Sequence, residues 1–309
     1  MAKKQLTIIL PGFAPLLSQQ INKSIIPTHL AKLIAKADFK ANKHSFKRGL
    51  FNYFSQDEII GADLPILSLM GDDELTLRID PCYLHADRDQ LLLFADDLAI
   101  SAEQSAALIA EIQALLIEFG GIIKQQQPDQ WLLHLDKLPD LNLTALPEVI
   151  GQGLEQHLPQ GQDKQAWLRL WNEIQMKLFN SEINQQRIEQ GKLPINGVWF
   201  WGAGQFKAKQ MTELNVQSQV EIVQHFATRS NCLLKISNDF IVNDLEANNL
   251  WVFDDIEPEE WLQQLDRLEA LFQTLWQQMK TAKIKQFELI IPNYGRYHLT
   301  AIDCWKFWK

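Results

Sequence analysis

Apolar residues along the chain fall into short runs and longer helical stripes, broken by Gly and Pro. Residues 6–10 form an apolar run that stops at Pro11 and Gly12, which predicts a first strand. A helix is expected over 28–37, with Leu30, Leu33 and Ile34 on one face. Residues 91–94 read as a buried strand. Ser101 then opens a helix with Gln104 three residues on, a capping-box pattern, and Leu108, Ile112, Leu115, Leu116 and Phe119 form its apolar side. Gly120 and Gly121 end that helix, and 131–135 is the next strand. This β, α, β alternation predicts an α/β or α+β module.

The stretch 138–159 contains Pro and Gly and predicts no regular element before its end. A helix follows over 165–179, with Leu168, Trp171, Ile174, Gln175 and Leu178 at helical spacing. Strands are expected at 232–236 and 249–253, and a final core strand at 287–291. The longest helix is expected over 258–279. Pro258 suits its first turn, Asp254 and Asp255 complement its dipole, and Trp261, Leu265, Leu268, Phe272, Leu275 and Trp276 form its stripe.

Residues 180–204 are the densest in information. The helix through Arg187 and Ile188 is stopped by Gly191 and Pro194. Asn196-Gly197 reads as a turn, and Val198, Trp199, Phe200 and Trp201 as a buried strand. Gly202 and Gly204 follow, where the chain can approach another backbone or a ligand. On composition alone this is a buried strand packed beneath a helix.

The 309 residues suffice for two domains or one elaborated domain. Hydrophobic and charged contents of 46% and 22% are those of an ordinary globular chain. A net charge of −9 argues against nucleic-acid binding, because no basic face is supplied in bulk. Lys3 and Lys4 precede too short an apolar run for a signal peptide, and no run is long enough to cross a bilayer. A membrane role is therefore not expected. Cys82, Cys232 and Cys304 lie far apart without metal-like spacing and fit reduced thiols in a cytoplasmic protein.

Asn184, Arg187, Gly191, Pro194, Asn196, Trp199, Trp201, Gly202 and Gly204 together resemble the signature of archaeal-type, 2,3-bisphosphoglycerate-independent phosphoglycerate mutases. Ser181, Glu182 and Ile183 stand where that family has His-Pro-Val. Weaker likenesses occur at Pro27 to Leu30, at Leu77 to Pro81, and at the helix start from Ile100 to Gln104. The order Asp80-Pro81, Asp87-Arg88-Asp89, Asn172 to Met176 and Trp305 to Trp308 is similar to a bacterial group. Its members are often labelled phosphoglycerate mutase or RpfE-type regulatory protein.

The resemblance implies an α/β fold: a degenerate alkaline-phosphatase-like core sheet flanked by helices, with a smaller inserted α+β domain. On that basis residues 1–78 and 196–309 form the discontinuous core and 79–195 the cap-like insert. It also implies a two-metal centre that activates a serine, since a hydroxyl is a poor nucleophile at neutral pH. The ligands are missing where they can be placed. Leu10-Pro11-Gly12 stands for the family's Asp-Gly, Asp254-Asp255 is not followed by the expected His, and Pro292-Asn293 stands for Asp-His. Ser45 and Ser55 are the serines nearest the nucleophile's place, and Ser68 lies nearer a stretch that is not the nucleophile.

No metal ligand set is therefore assigned and no cofactor is expected. Mn or Mg enters only if the chain is an active enzyme. Asp254, Asp255 and His298 are the weak catalytic candidates, and Arg88, Arg187, Asn196, Asn293 and Arg296 the ligand-binding ones. Asp80, Asp87, Arg88 and Asp89 form a polar cluster that fits either acid–base chemistry or a solvated turn.

Three functions compete. One is a non-catalytic relative acting in regulation or interaction, with an unknown protein partner or a small phosphorylated or carboxylated ligand. The second is an active mutase or phosphatase with a rebuilt site. The third is a docking module using Trp305, Phe307 and Trp308 with Lys306 and Lys309, for which burial as a staple is the alternative.

Overall fold

The computed structural model describes residues 4–18, 26–71, 75–88 and 90–306. Lys3, Asp89, Phe307, Trp308 and Lys309, named above, lie outside the described residues. The strands are β1 (Lys4–Ile9), β2 (Asp38–Ala41), β3 (Thr76–Asp87), β4 (Gln90–Phe94), β5 (Gly121–Gln127), β6 (Gln130–Leu135), β7 (Gly197–Trp201), β8 (Leu214–Gln217), β9 (Leu233–Lys235), β10 (Asn248–Val252), β11 (Ile284–Ile291) and β12 (Gly295–Thr300). The helices are α1 (Ala14–Ser18), α2 (Thr28–Lys36), α3 (Phe46–Phe54), α4 (Ile66–Met70), α5 (Ala102–Glu118), α6 (Lys164–Phe179), α7 (Glu182–Glu189), α8 (Glu221–Arg229), α9 (Pro258–Gln263) and α10 (Leu265–Lys280).

The chain divides into two compact units. One is Met1–Gln56 with Ala208–Lys309, and the other is Asp57–Lys207. The joins lie at 56/57 and 207/208, not at 78/79 and 195/196 where the resemblance sets them. β3 and β7 pair with each other in register from Arg78↔Trp201 to Cys82↔Gly197, so both belong to the insert's sheet.

The first unit is built on a seven-stranded sheet in the order β2-β12-β11-β1-β10-β8-β9. β1 pairs in parallel with β10 and β11, and β12 turns back antiparallel to β11. The strand expected to be the last in the core, 287–291, is thus followed by another that lies inside the sheet. One face is apolar. Leu6, Ile8, Trp251, Phe287, Leu289, Tyr297 and Leu299 alternate onto it and pack against Leu30 and Leu33 of α2 and the stripe of α10. Leu268, Phe272, Leu275 and Met279 make that stripe, each worth roughly 1.5–3 kcal/mol for its burial.

The single helix expected over 258–279 is two. Gln264 leaves helical geometry at φ −102°, ψ 2°, and Trp261 on the short α9 enters the core separately from α10. α5, with 17 residues, is longer than α10 with 16.

The insert carries a five-stranded sheet hubbed on the twelve-residue β3, which pairs with β6, β7 and β4 in turn. β4 is an edge strand in which only Leu93 is buried, not the buried strand its composition predicts. α5 starts with the expected capping box, Ser101 and Gln104 exchanging both bonds. Among the described residues no helix is long and apolar enough to cross a membrane.

Candidate functional site

On the sheet's second face, three rows of residues run across the strands of the first unit. Val216, Leu250, Thr7, Glu288, His298 and Asp38 form the middle row, fixed by the pairings from β8 to β2. Leu214, Asn248, Gln5, Gln286 and Thr300 lie on one side of it. Val252, Ile9, Ile290, Arg296 and Lys40 lie on the other. The β8–β10 end is apolar. Leu50, Phe51 and Phe54 of α3 and Phe226 of α8 are buried there, with Phe226 stacked on Phe54 and edge-on to Phe51. The other half turns polar: Thr7, Glu288 and His298 are half-buried, and Gln5, Gln286, Arg296 and Lys40 are exposed. A parallel sheet covered on both faces carries apolar residues on both, so the polar half marks an uncovered surface.

Between this surface and α3 lies a cavity of about 530 Å³. Its chemistry comes from Lys40, His44, Ser45, Tyr53, Lys209, Glu288 and Arg296. Lysine and arginine supply three cations against the one carboxylate of Glu288, in a chain whose net charge is −9. Arg296 Nε lies 3.3 Å from Glu288 Oε1. Ser45 caps α3 and accepts from Arg48 N–H at 3.3 Å, so the positive end of the helix dipole faces the same space. Gly49 sits within α3 with nothing near the position of an added Cβ, which leaves that wall open. Tyr53 bonds Thr7. Burial, then the charge of Glu288, pushes its phenol up to about 12, so it stays a hydrogen-bond donor across the neutral range.

The strand ends where the resemblance places metals are differently filled. The indole of Trp261 is fully buried and donates to Pro11 O at 2.8 Å. It packs edge-on to Phe13 and beside Phe253. A Cβ at Gly12, which has φ +69°, would stand 1.9 Å from Ile256 O, so the turn after the strand takes only glycine. Asp254 accepts from Asn238 Nδ2 at 2.7 Å, and Asn293, at φ 59°, turns its N–H to His44 O. Among the described residues no three His, Cys, Asp or Glu side chains gather as a metal site.

The candidate residues are not brought together. His298 is on β12 and Asp254 follows β10, with β11 and β1 between those strands. At about 4.8 Å per strand step the two are separated by roughly 14 Å. Asp255 is exposed beyond β10. His298 lies within the sheet, opposite Glu288 and Asp38. Of the ligand-binding candidates Arg296 alone lines the cavity, and Asn293 braces its rim through His44. Lys40, Lys209 and Tyr53 carried no motif and were not singled out. The alternation of polar residues along β1, β11 and β12 is the signal that marks their neighbourhood.

In the insert, two of the motif residues expected to bind a ligand are hydrogen-bonded to the chain's own backbone. Arg187 is fully buried; its guanidinium donates to the main-chain oxygens of Leu193, Ala99 and Leu98 and to Gln104 Oε1. Asn196 does not form a turn. Its amide accepts from Leu84 N–H and donates to Leu84 O, continuing the β3–β7 ladder past Gly197. Asn184 likewise exchanges two bonds with Ile195.

Asp80 is buried under bidentate bonds from Arg78 at 2.9 Å, the Trp201 indole at 2.7 Å and Trp131 N–H. Burial pushes its carboxyl upward while Arg78 and then Trp201 pull the other way. The Gly202 turn receives the carboxylate of Asp63 on the N–H groups of Gly202 and Ala203. Asp87, half-buried, ends β3 opposite Gln90, and the exposed Arg88 follows it at φ 50°. Trp305 is 56% exposed, with Lys280 5.2 Å from its ring centre, so it is no buried staple.

No family model matches the chain. A probable 2,3-bisphosphoglycerate-independent phosphoglycerate mutase of Geobacter sulfurreducens is 35% identical over 153 residues, covering 47% of this chain and 37% of that protein. The mutase of Methanosarcina mazei is 24% identical over 170 residues, covering 47% and 42%. The match thus spans well under half the length of these relatives. Among solved structures, the cofactor-independent phosphoglycerate mutase of Thermoplasma acidophilum aligns with 96% of this chain and 90% of its own at a TM-score of 0.44 and 11% identity. A protein of Pyrococcus horikoshii aligns with 97% of this chain and 88% of its own at 0.47 and 12%. By sequence, over about half its length, the chain is a relative of the proteins named 2,3-bisphosphoglycerate-independent phosphoglycerate mutase.

Proposed function

We propose that this chain is a mutase-related scaffold that has lost metal-dependent phosphoryl transfer. It retains a pocket for a small phosphorylated or carboxylated compound and acts in regulation or interaction. The observation that supports this reading is the strand end itself: Pro11 stands where the resemblance sets an acidic ligand, and its carbonyl is held by the fully buried Trp261 indole. A two-metal centre needs clustered carboxylates and imidazoles held open to solvent and substrate. Here Asp254 is spent on Asn238 and the other strand ends offer Pro and Asn. The cationic cavity over β11 and β12 supports the anion-binding half of the reading.

The test has two parts. Calorimetric titration of the intact chain with Mn²⁺ is expected to give no saturable binding, and assay with 3-phosphoglycerate no 2-phosphoglycerate. Titration with inorganic phosphate is expected to show saturable, salt-sensitive binding. Metal-dependent turnover would overturn the first half, and absence of phosphate binding the second.

A further inference from the structure

A second cavity of about 480 Å³ adjoins the cationic one and shares Tyr53, Lys209 and Met211 with it. Its chemistry is different. Gln5, Thr7, Gln210, Thr212 and Asn248 contribute neutral donors and acceptors, while Lys209 and Glu213 are its charged lining residues. Gln5 and Asn248 are cross-strand partners on β1 and β10, so their amides stand side by side on the open face of the sheet. Thr7 lies two residues on from Gln5 and is bonded by Tyr53, which marks the boundary between the two cavities. Amides and hydroxyls on the central strands of a parallel sheet are unusual, because such strands are normally apolar on both faces.

Each cavity selects a different part of a ligand. Lys40, Arg296 and the α3 N-terminus favour a dianionic group, for which guanidinium and ammonium donors are suited. The neutral cavity pairs with groups that both donate and accept, and hydroxyls are the simplest such groups. Apart from Tyr53 it offers no aromatic ring to stack a base or an aryl group.

We infer that the ligand is a phosphorylated polyhydroxy compound, a sugar phosphate in class, with its phosphate between Lys40 and Arg296 and its hydroxyls along Gln5, Thr7, Thr212 and Asn248. The inference rests on the anion pocket proposed above and extends it into the adjoining cavity. Lys209, common to both linings, bridges the two parts of the ligand.

Isothermal titration of the intact chain with inorganic phosphate, ribose 5-phosphate and ribose tests it. Ribose 5-phosphate is expected to bind about tenfold tighter than phosphate, the worth of one or two added hydrogen bonds. The double variant Gln5→Leu, Asn248→Leu is expected to bring ribose 5-phosphate down to the affinity of phosphate while phosphate binding stays unchanged. Thr212→Val, at an exposed position, is expected to remove part of that tenfold gain and serves as the test if the double variant fails to fold. Equal affinities for phosphate and ribose 5-phosphate would overturn the extension and leave the anion pocket standing. Tight sugar-phosphate binding that ignores both variants would also overturn it. Absence of phosphate binding would remove the anion pocket and the extension together.

Discussion

Asp80 in the insert and Glu288 in the first unit are both carboxylates beside an arginine on a strand, yet their surroundings are opposite. Asp80 is sealed beneath Arg78, Trp131 and Trp201. Glu288 borders a cavity in which Arg296 is half exposed, and Lys40 and Lys209 have no carboxylate within ion-pairing distance among the described residues. The insert holds the residues that most resemble the mutase signature, and it spends them on its own backbone and indoles. A buried polar group must be paired or it costs stability, so a saturated network preserves a fold without performing chemistry. The cavity's donors face solvent and remain available to a ligand.

The comparison breaks first at Asp80. Asp80→Ala leaves Arg78 buried without its carboxylate and is expected to cost about 3–5 kcal/mol in denaturant unfolding. A loss below about 1 kcal/mol would mean that the network is not what holds β3 to β7. Arg187→Met strands the carbonyls of Leu98 and Leu193 and is expected to cost about 2–3 kcal/mol, with little return from Arg187→Lys, which cannot reproduce the fork of donors. On the other side, Lys40→Gln with Arg296→Gln is expected to weaken phosphate binding about tenfold while changing stability by less than about 0.5 kcal/mol. The opposite pattern, lost stability with unchanged binding, would erase the contrast between the two regions.

Gly49→Ala should stabilise α3 by about 0.5–1 kcal/mol, because the position is helical and open. Gly49→Phe should fill the cavity and abolish phosphate binding in calorimetry. The smallest expected effect is a pH dependence at Asp303. Burial opposes its ionisation, but bonds from Lys306 and Thr300 outweigh that and bring its carboxyl from 3.8 to about 2. A depressed folded-state value contributes stability above the unfolded value, and that contribution is lost as pH falls through the folded one. Asp303→Asn should therefore be less stable than the parent at neutral pH, and the gap should close between pH 3.8 and about 2.

Local pattern alone determined much of the secondary structure. β1, α2, α5, α6 and β7 lie where the apolar periods and caps place them, because those signals act within one or two turns of chain. The signature around Arg187 and Trp201, and the absence of acids at Pro11-Gly12 and Pro292-Asn293, were also legible directly. The unit boundaries were not, since they depend on β3 pairing with β7 across more than a hundred residues of sequence. Nor was the role of Arg187 or Asn196, because an arginine or asparagine reads alike whether it faces a ligand or a distant carbonyl. The cationic cavity joins Lys40, Tyr53, Lys209 and Arg296 from four separate stretches of the chain. Only strand order and the placement of α3 over an uncovered half-sheet bring them together, since side-chain chemistry is written locally while proximity is set by long-range pairing and packing.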